Sequence, residues 1–109
     1  MNRRPRISKA RIESLVEEAT VDTYDEAEQA GGFFTMIEEN LGVPFSTVVL
    51  GVEVTVKRID MIEGDEIVAV CSRGKESQRI SILDLPLPSP PPEGAEWIAA
   101  YRYWRRCGR

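Results

Sequence analysis

The spacing of apolar residues changes along the chain near Pro44. Before this proline, apolar residues recur every three or four positions, which is typical of amphipathic helices. After it, β-branched residues alternate with polar ones, as in half-buried strands. Helical spacing returns over residues 96–106. Because no helices alternate with the strands, the pattern predicts an α+β fold: N-terminal helices, a small antiparallel sheet or barrel, and a C-terminal helix.

Two helices are predicted in the first 42 residues. Ser8 can cap the first helix, and Asp22 can cap the second. Gly42 and Pro44 then end the second helix. The predicted apolar faces consist of Ile12, Leu15, Val16 and Ala19 in the first helix, and of Ala27, Ala30, Phe34, Ile37 and Leu41 in the second.

Two adjacent glycines, Gly31 and Gly32, interrupt the second helical pattern. Each glycine costs a helix about 1 kcal/mol relative to alanine, so the pair needs an explanation. The glycines either let another element pack closely against a continuous helix, or let the chain bend between two shorter helices. The sequence leaves both explanations open.

Residues 45–85 carry the pattern of a strand-rich module. After a first stretch of β-branched residues, Gly64-Asp65 is typical of a turn. We expect further strands over residues 67–72 and 79–83, joined by a polar hairpin loop at residues 72–78. Several short strands in succession favour antiparallel pairing between neighbours.

The end of the chain combines a proline-rich segment with an aromatic helix. The prolines predict an extended strap, and the alternative is a ligand for an aromatic groove of a partner protein, around Pro88 to Pro91. The helix then places four large side chains on one stripe, which favours a core role over stacking on nucleic-acid bases. These side chains are Trp97, Ile98, Tyr101 and Trp104.

A length of 109 residues fits a single domain. We divide it into a basic arm (1–7), an acidic helical segment (8–42), a β module (45–85), a proline-rich strap (86–95) and a C-terminal helix (96–106). From Glu13 to Glu66 there are fourteen acidic residues and two basic ones, a local charge of −12. The arginines at both ends suit nucleic-acid phosphates, but the acidic middle opposes such binding, and we do not expect it.

The sequence offers few side chains suited to catalysis or to the binding of transition metals. The chain has no histidine, which excludes histidine-based triads and zinc sites built on imidazole. Cys71 and Cys107 are far apart, and we interpret them as reduced thiols of a cytoplasmic protein, with a disulfide between them as the alternative. No apolar run suits a membrane helix or a signal peptide. We therefore expect neither enzyme activity nor a membrane partner.

Calcium chemistry has more support, because calcium takes oxygen ligands from carboxylates, backbone carbonyls and water. Residues 21–45 hold six carboxylates and no lysine or arginine, although the loop pattern of an EF-hand is absent. On a straight helix, Asp25, Glu28 and Glu39 share one stripe, but Glu28 and Glu39 lie about 16 Å apart. A bend at the glycines would bring them together. A straight helix would need two sites, completed by loop acids such as Asp60, Glu63, Asp65 or Glu66.

Several short features follow one another along the acidic helical segment and just beyond it. They are Tyr24-Asp25-Glu26, Glu28-Gln29, Gly32-Phe33, Glu38-Glu39, Leu41 and Pro44-Phe45. In this order they resemble a small family of bacterial calcium-binding proteins, described from cyanobacteria, that do not use EF-hands. The resemblance implies calcium buffering or sensing by acidic side chains, with a helical N-terminal part and a small β-barrel similar to SH3 folds.

We therefore predict reversible calcium binding, as a buffer or a sensor, by carboxylates of the acidic helical segment. The candidate metal ligands are first Asp25, Glu28, Glu38 and Glu39, and then Asp22 and Glu26. The alternative is a small SH3-like interaction module without a metal, whose acidic residues form a solvated helix face. An unidentified protein partner would then bind the sheet or the strap.

Overall fold

The computed structural model describes residues 7–107, with the backbone alone for Cys107. The predicted basic arm, except for Ile7, lies outside the described residues. The helices and strands in chain order are α1 (Lys9–Ala19), α2 (Glu26–Asn40), β1 (Phe45–Val49), β2 (Val52–Ile62), β3 (Glu66–Arg73), β4 (Glu76–Ser81) and α3 (Ala95–Cys107). The predicted α+β fold, with N-terminal helices, an antiparallel sheet and a C-terminal helix, is confirmed.

The four strands form one antiparallel sheet in the order β1-β2-β3-β4. The turn predicted at Gly64-Asp65 joins β2 to β3, and both residues have positive φ angles, which Gly64 adopts without a steric penalty. Within the described chain, β1 and β4 are the outer strands of this sheet. Closure into an SH3-like barrel therefore stays a prediction.

The prediction of a polar hairpin loop over residues 72–78 is wrong in length, because the observed turn is much shorter. Strand β3 runs to Arg73 and β4 begins at Glu76, so that only Gly74 and Lys75 form the turn. Backbone hydrogen bonding between strands does not require apolar side chains, and this allows polar residues to extend both strands. The following strand is shorter than predicted at its end, because the chain leaves the sheet after Ser81.

The two N-terminal helices begin at capping residues. Ser8 caps α1 as predicted, and its Oγ accepts a hydrogen bond from the Arg11 backbone N–H at 3.1 Å. The prediction that Asp22 caps α2 is wrong, since the cap is Asp25. Asp22 has a left-handed φ of 61°, whereas a capping residue needs the extended backbone that Asp25 adopts.

Helix α2 is continuous through its two glycines. A Cβ atom at Gly32 would collide with the carbonyl oxygen of Ala19 at the end of α1, whereas one at Gly31 would meet nothing within 4 Å. Close packing of α1 on α2 is therefore the reason for Gly32. The alternative explanation, a bend between two short helices, is wrong.

The inward face of α2 differs from the predicted one at two positions. Phe33 is fully buried, while Phe34 is only partly buried and Ala27 is exposed. The face runs through Ala30, Phe33 and Ile37, because the contact of Gly32 with α1 sets the rotation of the helix. A shift by one residue turns a helix by about 100 degrees, which is enough to exchange one phenylalanine for the other.

A single cluster of buried residues includes side chains from the three helices and from the sheet. Helix α3 contacts both α1 and α2, and α2 contacts β2. The rings of Phe33, Tyr101 and Trp104 pack together with centroids 5.2–5.9 Å apart. Burial of the predicted stripe on α3 is confirmed for Trp97, Ile98, Tyr101 and Trp104.

The proline-rich strap returns the chain from the sheet to α3. Near its start, the Thr47 hydroxyl of β1 donates a hydrogen bond to the Pro86 carbonyl at 2.6 Å. Near its end, the Gly42 N–H donates to the Glu93 carbonyl at 2.8 Å. These two hydrogen bonds hold the strap, which leads into α3, against β1 and against the end of α2. Within residues 7–107, no helix has the length and apolar character needed to cross a membrane.

Candidate metal centre

The N-terminal end of α2 holds two of the predicted ligands in a capping arrangement. Asp25 Oδ1 accepts a hydrogen bond from the Glu28 N–H at 2.9 Å, and Glu28 Oε1 accepts one from the Tyr24 N–H at 2.7 Å. Both carboxylates are exposed, and each keeps a second oxygen. They stabilise the start of the helix, where negative charge also complements the helix dipole.

Two further candidates lie at the same end of α2. Asp22 is exposed in the turn after α1, and Glu26 is the exposed first residue of α2. Together with Asp25 and Glu28, they make the loop between α1 and α2 strongly acidic. Their proximity follows from the sequence, since all four lie within seven consecutive residues.

The C-terminal end of α2 carries the other pair, Glu38 and Glu39. Both side chains are exposed, and the last turn contains no basic residue. Backbone carbonyls give this end of a helix a partial negative charge, which favours cations and disfavours carboxylates. The sequence therefore places two negative charges where the backbone already repels them.

The two ends of α2 cannot share one ion. Because the helix is continuous, Glu28 and Glu39 stay about 16 Å apart along its axis. Among the residues that the structure describes, no three Asp, Glu or Cys side chains are grouped closely enough to hold a metal ion. The loop acids Asp60, Glu63, Asp65 and Glu66 thus complete no such group in this conformation.

The donor chemistry of these residues suits calcium better than zinc. Exposed carboxylates can combine with water molecules and backbone carbonyls to supply the oxygens that calcium needs. Zinc would require thiolates, but Cys71 is buried in the core, and burial raises the pKa of its thiol. The residues fit calcium by their oxygen atoms, without forming a rigid cage in advance.

Glu93 is an acidic residue near the end of α2 that was not predicted from the sequence. The strap brings Glu93 beside Gly42, where its backbone carbonyl accepts the Gly42 N–H. The neighbouring Gly94 packs so closely on Asn40 that a Cβ atom there would collide with the Asn40 carbonyl. No local pattern predicts this approach, because Glu93 is distant from α2 in the sequence.

Comparison with known proteins agrees with the chemistry of these carboxylates. No match is found among curated proteins or among solved structures. A family model described as calcium binding, named after the cyanobacterial calcium-binding protein CcbP, matches residues 11–105. The match spans α2, the whole sheet and nearly all of α3, and the resemblance predicted from the acidic helical segment is confirmed. The chain therefore belongs to the CcbP family of calcium-binding proteins.

Proposed function

We propose that this protein binds calcium reversibly through carboxylates of the acidic helical segment. The observation that carries the proposal is the pair Glu38 and Glu39, exposed in the last turn of α2 without a basic residue in that turn. A divalent cation there would offset the repulsion between the carboxylates and the negative end of the helix. Backbone carbonyl oxygens at the end of α2 and water molecules can add to the ligand set.

The N-terminal end of α2 is the second proposed calcium site. Asp25 and Glu28 each use one oxygen for capping, and the remaining oxygens, with those of Asp22 and Glu26, can bind an ion. Because the helix is straight, its two ends would have to bind separate ions. The proposed role is ion binding, as a buffer or a sensor, and it includes no catalytic step.

Thermal unfolding tests the proposal directly. We expect the midpoint to rise when millimolar calcium replaces EGTA, and to rise much less with magnesium. A one-site ligand present at about 100 times its dissociation constant stabilises a fold by about 2.7 kcal/mol. For a domain of this size, that gain corresponds to a shift of about 10 °C or more.

Variants with uncharged side chains show which residues are responsible for the calcium-dependent rise in the unfolding midpoint. The double variant E38Q/E39Q should lose much of the calcium-dependent shift, and its midpoint in EGTA should rise because two unfavourable charges are gone. The matched control is E53Q/E76Q, which removes two exposed acids from the sheet and should respond to calcium like the wild type. An unchanged calcium response in E38Q/E39Q would remove this pair from the site.

Tryptophan fluorescence distinguishes a buffer from a sensor. Trp97 and Trp104 are buried in the core, so a rearrangement of the helices on ion binding would change their emission. A thermal shift without a spectral change indicates a buffer. A thermal shift with a clear spectral change indicates a sensor.

An interaction module is the second candidate, and one observation favours it. The turn between β1 and β2 exposes Leu50 almost completely, at 98%, flanked by Val48 at 53% and Val52 at 37%. Exposed apolar groups of this kind often mark contact surfaces. If neither calcium nor magnesium shifts the unfolding midpoint of the wild type, this second function becomes the better explanation.

A further inference from the structure

Three arginines of α3 line a concavity on a surface built by α3 and the turn after β4. Arg102, Arg105 and Arg106 surround it together with Leu83, and its volume is about 270 Å³. The arginines lie at spacings of three and one along α3 and so share one side of its last turns. Their clustering is notable in a chain whose net charge is −4.

Two of these guanidinium groups are held in place by neutral partners. Arg102 donates hydrogen bonds from Nε and Nη2 to the Ile82 carbonyl, at 3.0 and 2.8 Å, and from Nη2 to the Leu85 carbonyl at 2.6 Å. Arg105 donates to the Tyr101 hydroxyl at 2.8 Å, and its guanidinium carbon lies 5.8 Å from the centre of that ring. These contacts fix the side chains without neutralising their charge.

One carboxylate, Asp84, compensates part of the charge of the concavity, but no carboxylate forms an ion pair with its arginines among the described residues. The one ion pair among the described residues joins Arg11 to Glu96, so none of the three arginines has such a partner there. Burial lowers the pKa of Arg102, Asp84 raises it, and repulsion from Arg106 lowers it. Arg106 therefore lies close enough to repel the Arg102 guanidinium, and the exposed Asp84 attracts that group more strongly than Arg106 repels it.

We propose that this concavity binds a phosphate group, either free or as the ester of a small molecule. Planar guanidinium groups donate paired hydrogen bonds to phosphate oxygens, and several of them can share a doubly charged anion. The apolar Leu83 in the lining can contact the carbon atoms of an ester. The helix dipole explains why basic residues occur in the last turn of α3, but not the positioning of Arg102 by two carbonyl groups.

Calorimetric titration at constant ionic strength tests this site. The probes are inorganic phosphate and glycerol 3-phosphate, each added in EGTA so that calcium cannot contribute. The test variant is R105Q/R106Q, which leaves Arg102 and its bonds to the carbonyl groups intact. The matched control is K75Q/R79Q, which removes two exposed positive charges at β4 and the turn before it.

We expect the wild type and the control to bind at least one probe, and R105Q/R106Q to bind it at least tenfold more weakly. Binding of glycerol 3-phosphate alone would identify an ester as the ligand, and binding of inorganic phosphate alone would identify the free ion. Equal affinity in all three proteins, or no heat of binding in the wild type, would overturn the proposal. Retention on heparin without binding of either probe would also overturn it, since it would indicate a general polyanion surface.

Discussion

At the scale of single residues, Gly31 and Gly32 show how neighbours in sequence can differ in their structural roles. Gly32 lies against the Ala19 carbonyl, where any side chain would collide with backbone atoms. Gly31 faces open space within the same helix. Backbone atoms cannot move aside as a flexible side chain can, so Gly32 is required by packing while Gly31 is not.

This difference predicts opposite effects of the same substitution. Gly32→Ala should destabilise the protein by about 2 kcal/mol or more, because α1 and α2 must separate to admit the methyl group. Gly31→Ala should be neutral or stabilising by up to about 1 kcal/mol, because alanine favours the helix. Urea unfolding of both variants measures the effects, and equal changes in the two would contradict the packing explanation.

At the scale of elements, α2 uses its acidic residues differently at its two ends. Asp25 and Glu28 stabilise the start of the helix through backbone hydrogen bonds, whether or not an ion is present. Glu38 and Glu39 oppose the dipole at its end and have no such role there. The calcium binding proposed for the N-terminal end would use residues that also cap the helix, and substitutions must separate the two roles.

Replacement of Asp25 by two different residues separates capping from ion binding. Asp25→Ala removes the cap and should cost about 1 kcal/mol in EGTA, whereas Asp25→Asn keeps a good capping side chain and should cost much less. If Asp25 is also a ligand, both variants should lose part of the calcium-dependent gain in unfolding midpoint. A full calcium gain in Asp25→Asn would show that Asp25 is a cap alone.

At the scale of the whole molecule, helix α3 packs the C-terminal part of the chain against the N-terminal helices. It packs on α1 and α2, and its aromatic side chains meet Phe33 in the core. Trp104 also donates a hydrogen bond from Nε1 to the Gln29 side chain of α2 at 3.1 Å. Because one buried cluster includes the helices and the sheet, the β module has no separate core among the described residues.

This shared core predicts cooperative unfolding of the chain as a single domain. Tryptophan fluorescence reports on α3, and far-ultraviolet circular dichroism reports on all helices and strands. We expect the two signals to change at the same urea concentration, as in a two-state transition. Two separate transitions would instead show that the β module and the helices unfold as independent units, and would contradict the predicted single domain.

The predictions that depend on local patterns agreed best with the structure. Helical and strand periodicities identified the element types, and Ser8 and Gly64-Asp65 marked a cap and a turn correctly. A better signal for the start of α2 was present as well. Asp25 is followed three residues later by Glu28, the residue type that a capping box has at that position, whereas Asp22 is followed at the same spacing by another aspartate.

Sequence patterns were sufficient to predict the kinds of elements, their order, the acidic character of α2 and the family of the chain, because these depend on residues close together in the chain. Tertiary structure alone decided that Phe33 rather than Phe34 faces the core, and that the glycines allow packing instead of a bend. It also brought Glu93 to the end of α2 and Leu83 to the arginines of α3. These features depend on contacts between residues distant in sequence, for which no periodicity or short motif exists.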